Sequence, residues 1–318
     1  KGNQKLEYLD NCFQFFTDKT KIILAVDNDG PGLMLRNELA RRLGKQRCFY
    51  VDFKAVGDFK DSNEVLISKG TEVLKEAIKT AIPFPLDGII DLHDIDDEIN
   101  HIYNHGFTPG DKVGFEKFDE LLSFAPGQVT VVTGIPNSGK SEFIDQIIAR
   151  LSESNAWIWG IFSAENLPVS THFAKFAEKF VGETFYHKNP LFKMSEPQLM
   201  EAKEFVHSHM NFMDVLVENL TLDYVLEKIE EMVARKGING FLLDPWNYIE
   251  HDIANGQSET TYINKALTKV CKAAKRLGVH IIIVAHPTKI KKTKEGVFEV
   301  PTLYDISGSA HWFNKADN

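Results

Sequence analysis

The eight residues Gly134-Ile135-Pro136-Asn137-Ser138-Gly139-Lys140-Ser141 constrain this 318-residue chain more than any other stretch. They match the pattern GxxxxGK[ST] without a gap. An apolar run at 129–133 precedes them and a helical pattern at 141–151 follows. A strand, a glycine-rich loop and a helix in that order are what a phosphate-binding loop requires. Glycines let the backbone wrap closely, so that several N–H groups can point at phosphate oxygens. The helix N-terminus adds partial positive charge. Lys140 can reach the β- and γ-phosphates, and the Ser141 hydroxyl can hold Mg2+. The bland alternative is a chance glycine-rich turn.

The pattern around the loop is regular. After the strand at 129–133, the helix at 141–151 carries Phe143, Ile144, Ile147, Ile148 and Leu151 on one side. Further strands are expected at 156–162, 213–217, 240–243 and 279–285, the last being the most apolar. Helices are expected at 173–180, 197–205, 221–235 and 260–277. Strands alternating with helices predict an α/β fold with a mostly parallel sheet covered on both faces. The amino-terminal part shows a strand at 21–28, the turn Asp29-Gly30-Pro31-Gly32, and a helix carrying Leu33, Leu39, Ala40 and Leu43 as far as Gly44. A strand at 47–52 completes a βαβ unit of about 35 residues. Helices at 58–67 and 70–82 follow, and Pro83 and Pro85 break the pattern.

These shifts predict a small α/β domain at 1–85, an acidic linker at 86–106 and a larger core at 107–318. The linker sets Asp87, Asp91, Asp94, Asp96, Asp97 and Glu98 against Ile89, Ile90, Leu92, Ile95 and Ile99. That is a short amphipathic helix, read either as a solvated face or as a docking helix for a neighbouring subunit.

Charge limits the partners. Lys and Arg number 36 against 45 Asp and Glu, a net of -9, which argues against nonspecific wrapping of nucleic acid and leaves room for a local basic loop. Cys12, Cys48 and Cys271 form no disulfide framework and show no metal-ligand spacing, so a reducing, intracellular setting, cytoplasmic or nucleoid-associated, is expected. No apolar run approaches the roughly 18 residues of a membrane helix, so no membrane partner is expected. The start, Lys1-Gly2-Asn3, has neither an initiator Met nor an apolar signal segment, and a trimmed fragment is expected.

Three further positions bear on the loop. The strand at 240–243 ends at Asp244, where a carboxylate can hold Mg2+, although an Asp at a strand exit is also an ordinary turn residue. Pro245 restricts Asp244 to extended backbone. Glu165 follows the strand at 156–162 and can orient or deprotonate water, provided that this strand lies beside the loop strand; a helix-capping Glu looks the same. His286 closes the strand at 279–285, where it either hydrogen-bonds a γ-phosphate or is simply polar at a strand exit. The lysines Lys289, Lys291, Lys292 and Lys294 then form a basic run suited to nucleic-acid phosphates, or a solvated loop.

The order GIPNSGKS, FSAEN, FLLDPWN, VAHPTK, SGSAHWFNKADN resembles the RecA-type replicative DNA helicases, over about residues 20–318. Within them it looks most like the DnaB-like and Twinkle-like primase-helicases. The resemblance implies a RecA-like P-loop NTPase core that uses ATP and Mg2+, with Lys140 and Glu165 catalytic and His286 as the switch between γ-phosphate and DNA. It implies Asp244 as the Walker B aspartate and the lysine run as a channel loop for single-stranded DNA. It also implies a homo-oligomeric ring, a hexamer, moving 5′ to 3′. The segment 26–32, VDNDGPG, with Asp27 and Asp29, resembles the DxD metal motif of a TOPRIM domain, and KDSNE at 60–64 the segment after its next strand. Read as structure alone, it is a tight acidic turn.

The sequence departs from that pattern at both ends. The strand and glutamate that open a complete TOPRIM domain are not found, so a partial TOPRIM-like domain without primer synthesis is expected. The core is expected to be truncated at its C-terminus, and the fragment to hydrolyse ATP slowly. Two other functions fit the same motifs. One is a recombinase-like DNA-binding ATPase without unwinding activity, and the other a non-enzymatic assembly module.

Overall fold

A computed structural model describes residues 6–84, 92–107, 109–251, 258–288, 292, 298–307 and 309–318. The chain divides into two compact units, Gln4–Thr108 and Pro109–Asn318.

In the first unit, β1 (Ile22–Leu24) pairs in parallel with β2 (Cys48–Tyr50) across the helix Gly30–Leu43. This is the expected βαβ unit, with shorter strands. Asp29 is the N-cap of that helix, its side chain accepting from the Gly32 N–H at 2.9 Å, and Pro31 occupies the first turn, where its missing N–H costs nothing. Ile22, Leu24, Ala40, Leu43 and Cys48 form the core between sheet and helix. The short helices Phe53–Gly57, Ser62–Lys69 and Thr71–Lys79 follow. Pro83 does not simply end the pattern: Ile82–Pro83 is a third strand, β3, antiparallel to β2. Two residues at a sheet edge tolerate proline because the ladder there has no outer neighbour. Of the acidic stretch, residues 85–91 lie outside the described residues. The helix Asp96–His105 buries none of its residues.

The second unit is built on five strands: β4 (Val129–Val132), β5 (Trp159–Ser163), β6 (Met210–Phe212), β7 (Gly240–Asp244) and β8 (His280–Val284). Their order is β4-β8-β7-β5-β6 and every pairing is parallel. Both faces are covered, as the unbroken apolar strands required. Ile144, Ile148 and Leu151 of the helix Lys140–Asn155 pack on one face against Trp159, Ile161 and Leu242. On the other face, Val225 and Ile229 of the helix Leu222–Lys236 and Leu267 and Val270 of the helix Glu259–Leu277 cover Phe241, Leu243 and Ile281. Each such side chain stabilises the fold by about 1.5–3 kcal/mol.

Two glycines set the fit between β5 and β7. Trp159 is the register partner of Gly240, and Gly160 that of Phe241. A Cβ on Gly240 would lie 2.4 Å from the Trp159 ring, and one on Gly160 2.6 Å from the Phe241 ring.

Three expectations are corrected. The strand expected at 213–217 is Met210–Phe212 instead. Met213 and Val215 are buried, and the Met213 N–H donates to the β5 carbonyl of Ile161 at 2.8 Å just past the strand end. Phe143, expected on the buried side of its helix, is 45% exposed and stacks beside Phe115, with ring centroids 6.3 Å apart. The strand before Glu165 does not lie beside the loop strand: β8 and β7 stand between β5 and β4.

A candidate nucleotide site at the carboxyl edge of the parallel sheet

Because β4, β5, β7 and β8 run in one direction, the segments that leave them emerge at one edge of the sheet. The loop after β4 leads into the helix Lys140–Asn155. Asn137 and Gly139 both take positive φ, 60° and 85°, which bends the backbone back over the helix start. Glycine adopts that conformation freely, and asparagine is among the few other residues that tolerate it. The Lys140 ammonium donates to the Ile135 carbonyl at 2.9 Å and so folds over the loop.

Asp244 closes β7 and is fully buried. The Ser141 hydroxyl donates to its Oδ2 at 3.1 Å, while its Oδ1 is buried without a hydrogen-bond partner among the described residues. Burial, and after it the negative charge of Glu165, pushes the Asp244 carboxyl up to about 6, against the pull of the Ser141 hydrogen bond. A buried carboxylate short of positive partners, beside a hydroxyl, is an oxygen donor set that suits a hard divalent cation such as Mg2+.

Although two strands intervene, Glu165 belongs to the same edge. Ser163 is the register partner of Asp244, and the Ala164 N–H donates to the Asp244 carbonyl at 2.9 Å. Glu165 projects just beyond and meets His286, whose Nε2 lies 3.1 Å from its Oε1. The acceptor is a carboxylate, so Nε2 carries the proton. The His286 Nδ1 is buried and unpartnered among the described residues.

The structure thus brings Ser141 to Asp244 and Glu165 to His286. Of the lysine run, Lys289, Lys291 and Lys294 lie outside the described residues. Lys292 sits over the Phe298 ring, 4.6 Å from its centroid.

Sequence reasoning did not single out the residues behind this edge. Asp145, one turn after Ser141, is buried with His172, 3.0 Å from Oδ1 to Nε2. Lys175 bridges Glu142 and Asn166. Charged residues on amphipathic helices look like solvent-facing positions, and only the folded pairing of the two helices reveals them.

The carboxylates of Asp27 and Asp29, in the first unit, face a lysine. Lys60 Nζ is 3.2 Å from Asp29 Oδ2 and 3.7 Å from Asp27 Oδ2. The Gly32 N–H, and then Lys60, hold the Asp29 carboxyl below its ordinary range. Among the described residues no three His, Cys, Asp or Glu side chains gather as a metal cluster. The cation that faces the pair in this structure is Lys60.

No family model matches the chain. It is 39% identical to the Twinkle homolog protein, chloroplastic/mitochondrial, of Arabidopsis thaliana, over 99% of this chain and 45% of that protein. A primase homolog protein of Arabidopsis thaliana is 49% identical over 83 residues, 25% of each chain. The chain thus spans less than half of the Twinkle homologue. Among solved structures, an isolated ATPase domain superposes with a TM-score of 0.57 at 18% identity, over 70% of this chain and 81% of that one. A DnaB-like replicative helicase superposes with a TM-score of 0.55 at 17% identity, over 80% of this chain and 62% of that one. At those identities the likeness is one of fold. Among the described residues no helix is long and apolar enough to cross a membrane.

Proposed function

We propose that this chain belongs with the DnaB- and Twinkle-like helicases and carries the ATP-hydrolysing motor of a replicative DNA helicase. The observation that carries the proposal is the pairing of Ser141 with Asp244 and of Glu165 with His286 beside one phosphate loop.

In this reading the backbone N–H groups of 134–141 bind the triphosphate of ATP, and Lys140 leaves the Ile135 carbonyl to reach its outer phosphates. Ser141 and Asp244 would hold Mg2+, which when bound neutralises charge on the phosphate oxygens. Glu165 accepts a proton from, or orients, the attacking water through its exposed carboxylate. His286 donates from Nε2 to Glu165 at rest, so the two side chains hold each other's direction. His286 would then report the loss of the γ-phosphate to the lysine run, where Lys292 and its neighbours Lys289, Lys291 and Lys294 contact DNA phosphates. The flexible lysine chains suit contacts that carry no sequence information.

The proposal extends to 5′ to 3′ movement on single-stranded DNA within a homo-oligomeric ring, a hexamer, in an intracellular setting, cytoplasmic or nucleoid-associated. The first unit is read as a partial TOPRIM-like domain, and primer synthesis is not assigned to it. The bounds 1–85, 86–106 and 107–318 are retained for TOPRIM-like domain, linker and motor.

The test is binding of a fluorescent ATP analogue with Mg2+, followed by unwinding of forked DNA bearing a 5′ or a 3′ tail. The expected result is binding that is lost in Lys140→Ala, and ATP-dependent unwinding on the 5′-tailed fork only. Equal nucleotide binding by wild type and Lys140→Ala would overturn the reading. ATP turnover without strand displacement would favour a recombinase-like ATPase.

A further inference from the structure

Glu165 is half-exposed at the exit of β5, and its position depends on what fixes the turn that carries it. Its neighbour Asn166 is turned inward and buried. Asn166 Nδ2 donates to Ser163 Oγ at 3.0 Å, and Ser163 is the register partner of Asp244. Asn166 Oδ1 accepts from Lys175 Nζ at 2.8 Å. The same ammonium is 2.7 Å from Glu142 Oε1. Glu142 follows Ser141 directly, in the first turn of the helix Lys140–Asn155. A single ammonium therefore joins the residue after the phosphate loop to the residue after the candidate catalytic glutamate.

Stability alone is a weak explanation. Partly exposed lysine–carboxylate pairs add little to stability. Glu142 already has a second lysine, Lys179, at 2.5 Å, and the two helices are also joined by the buried Asp145–His172 pair. What Lys175 alone adds is the link to Asn166. An ammonium has three donors and no acceptor, so it can satisfy the amide oxygen and the carboxylate together.

We propose that Lys175 is a positioning residue for Glu165, holding the turn 163–166 in register with the first turn of the phosphate-loop helix through Asn166 and Glu142. The proposal rests on the nucleotide-site reading. In the reaction Lys175 touches neither nucleotide nor water. It limits where the Glu165 carboxylate can stand relative to phosphates bound over Lys140 and Ser141. A misplacement of about 1 Å at such a group can cost up to ~100-fold in rate.

The test compares Lys175→Met, Lys175→Arg and Lys179→Met in the full chain. For each, ATP turnover, fluorescent-nucleotide affinity and hydrogen exchange at the amides of 163–167 are measured. Lys175→Met is expected to lower kcat by roughly tenfold, with KM and nucleotide affinity within about twofold, a loss specific to the reacting state. Exchange at 163–167 should quicken. Lys175→Arg, whose fork can still span both oxygens, should recover most of the rate. Lys179→Met, which removes a Glu142 partner and leaves Asn166 untouched, should keep kcat within about twofold. Wild-type turnover in Lys175→Met, or a parallel loss of nucleotide affinity and kcat, would overturn the proposal. Its failure is separable from that of the nucleotide site. Equal nucleotide binding by wild type and Lys140→Ala removes the site itself, whereas unchanged exchange at 163–167 in Lys175→Met removes the Lys175 link even in a chain that turns over no ATP.

Discussion

The Ser141 hydroxyl donates to Asp244 Oδ2 at 3.1 Å although 103 positions of sequence separate the two residues. That bond joins the end of the phosphate loop to the end of a strand two places across the sheet. It leaves the second Asp244 oxygen buried and unpartnered among the described residues, so the pocket carries a cost when it holds no cation.

That cost has a sign in pH. The Asp244 carboxyl is raised from an ordinary 3.8 to about 6, so the folded state binds its proton more tightly than the unfolded chain. Stability from this group is complete below pH 3.8 and is lost as pH rises to about 6, a total of roughly 3 kcal/mol. His280 acts in the opposite sense. Burial lowers it from 6.5 to about 4, so its contribution is present above pH 6.5 and is lost on acidification towards pH 4. Asp244→Asn keeps the His280 effect and removes the other. Thermal melts without nucleotide or Mg2+ should show Asp244→Asn more stable than wild type by ~1–3 kcal/mol at pH 7, with the difference vanishing near pH 4. A pH-independent difference would refute the assignment.

Glu165→Gln keeps the side-chain shape and removes the base. ATP turnover should fall by about 10²–10⁴-fold while nucleotide affinity stays within about twofold. Single-turnover kinetics with radiolabelled ATP checks this. Loss of affinity in the same proportion would make Glu165 a binding residue.

His172→Ala leaves the Asp145 carboxylate buried without its imidazole. Breaking a buried pair from one side costs about 3–5 kcal/mol, and urea unfolding should show a loss of that order. The variant His172→Gln, which can still donate to Asp145, should recover part of it. An effect no larger than about 1 kcal/mol for His172→Ala would refute the buried pair as a contributor to stability.

In the first unit, Lys60→Met removes the cation that faces Asp27 and Asp29. Manganese binding, followed by electron paramagnetic resonance, should tighten by roughly three- to tenfold as two uncompensated carboxylates take an ion. The double variant Asp27→Asn with Asp29→Asn should abolish the gain. Identical binding by wild type and Lys60→Met would remove Lys60 as the counter-ion.

What the sequence made legible follows from what is local. GIPNSGKS specifies its own backbone, so the loop and the start of its helix could be placed to within a residue, while the helix runs on past 151 to Asn155. Asp244 and His286 could be placed because apolar runs end where they begin. Strand order is not local. The role of Glu165 was tied to the condition that its strand lie beside the loop strand; the condition fails, yet Glu165 stands at the same edge across β8 and β7 because parallel strands share an exit edge whatever their order. The stretch 213–217 misled because Met213 and Val215 stay buried past the strand end at Phe212, so apolar alternation outlasts the strand. Lys175, Asn166 and Glu142 gave no signal, since a lysine and a glutamate on helix faces read as solvent-facing until the helices are paired.

The spacing of the two acids at the site is inherited from the middle of the sheet. Gly240 and Gly160 each leave a bare patch of backbone where the neighbouring strand lodges an indole or a phenyl ring, like teeth in facing notches. Sliding β5 by one residue along β7 would drive ring against ring, turn its side chains to the opposite face and carry Glu165 about 3.3 Å along the strand axis from its present offset to Asp244. A methyl group added at either notch would therefore be felt at the far end of the strands, as a change in where the Glu165 carboxylate stands relative to Asp244.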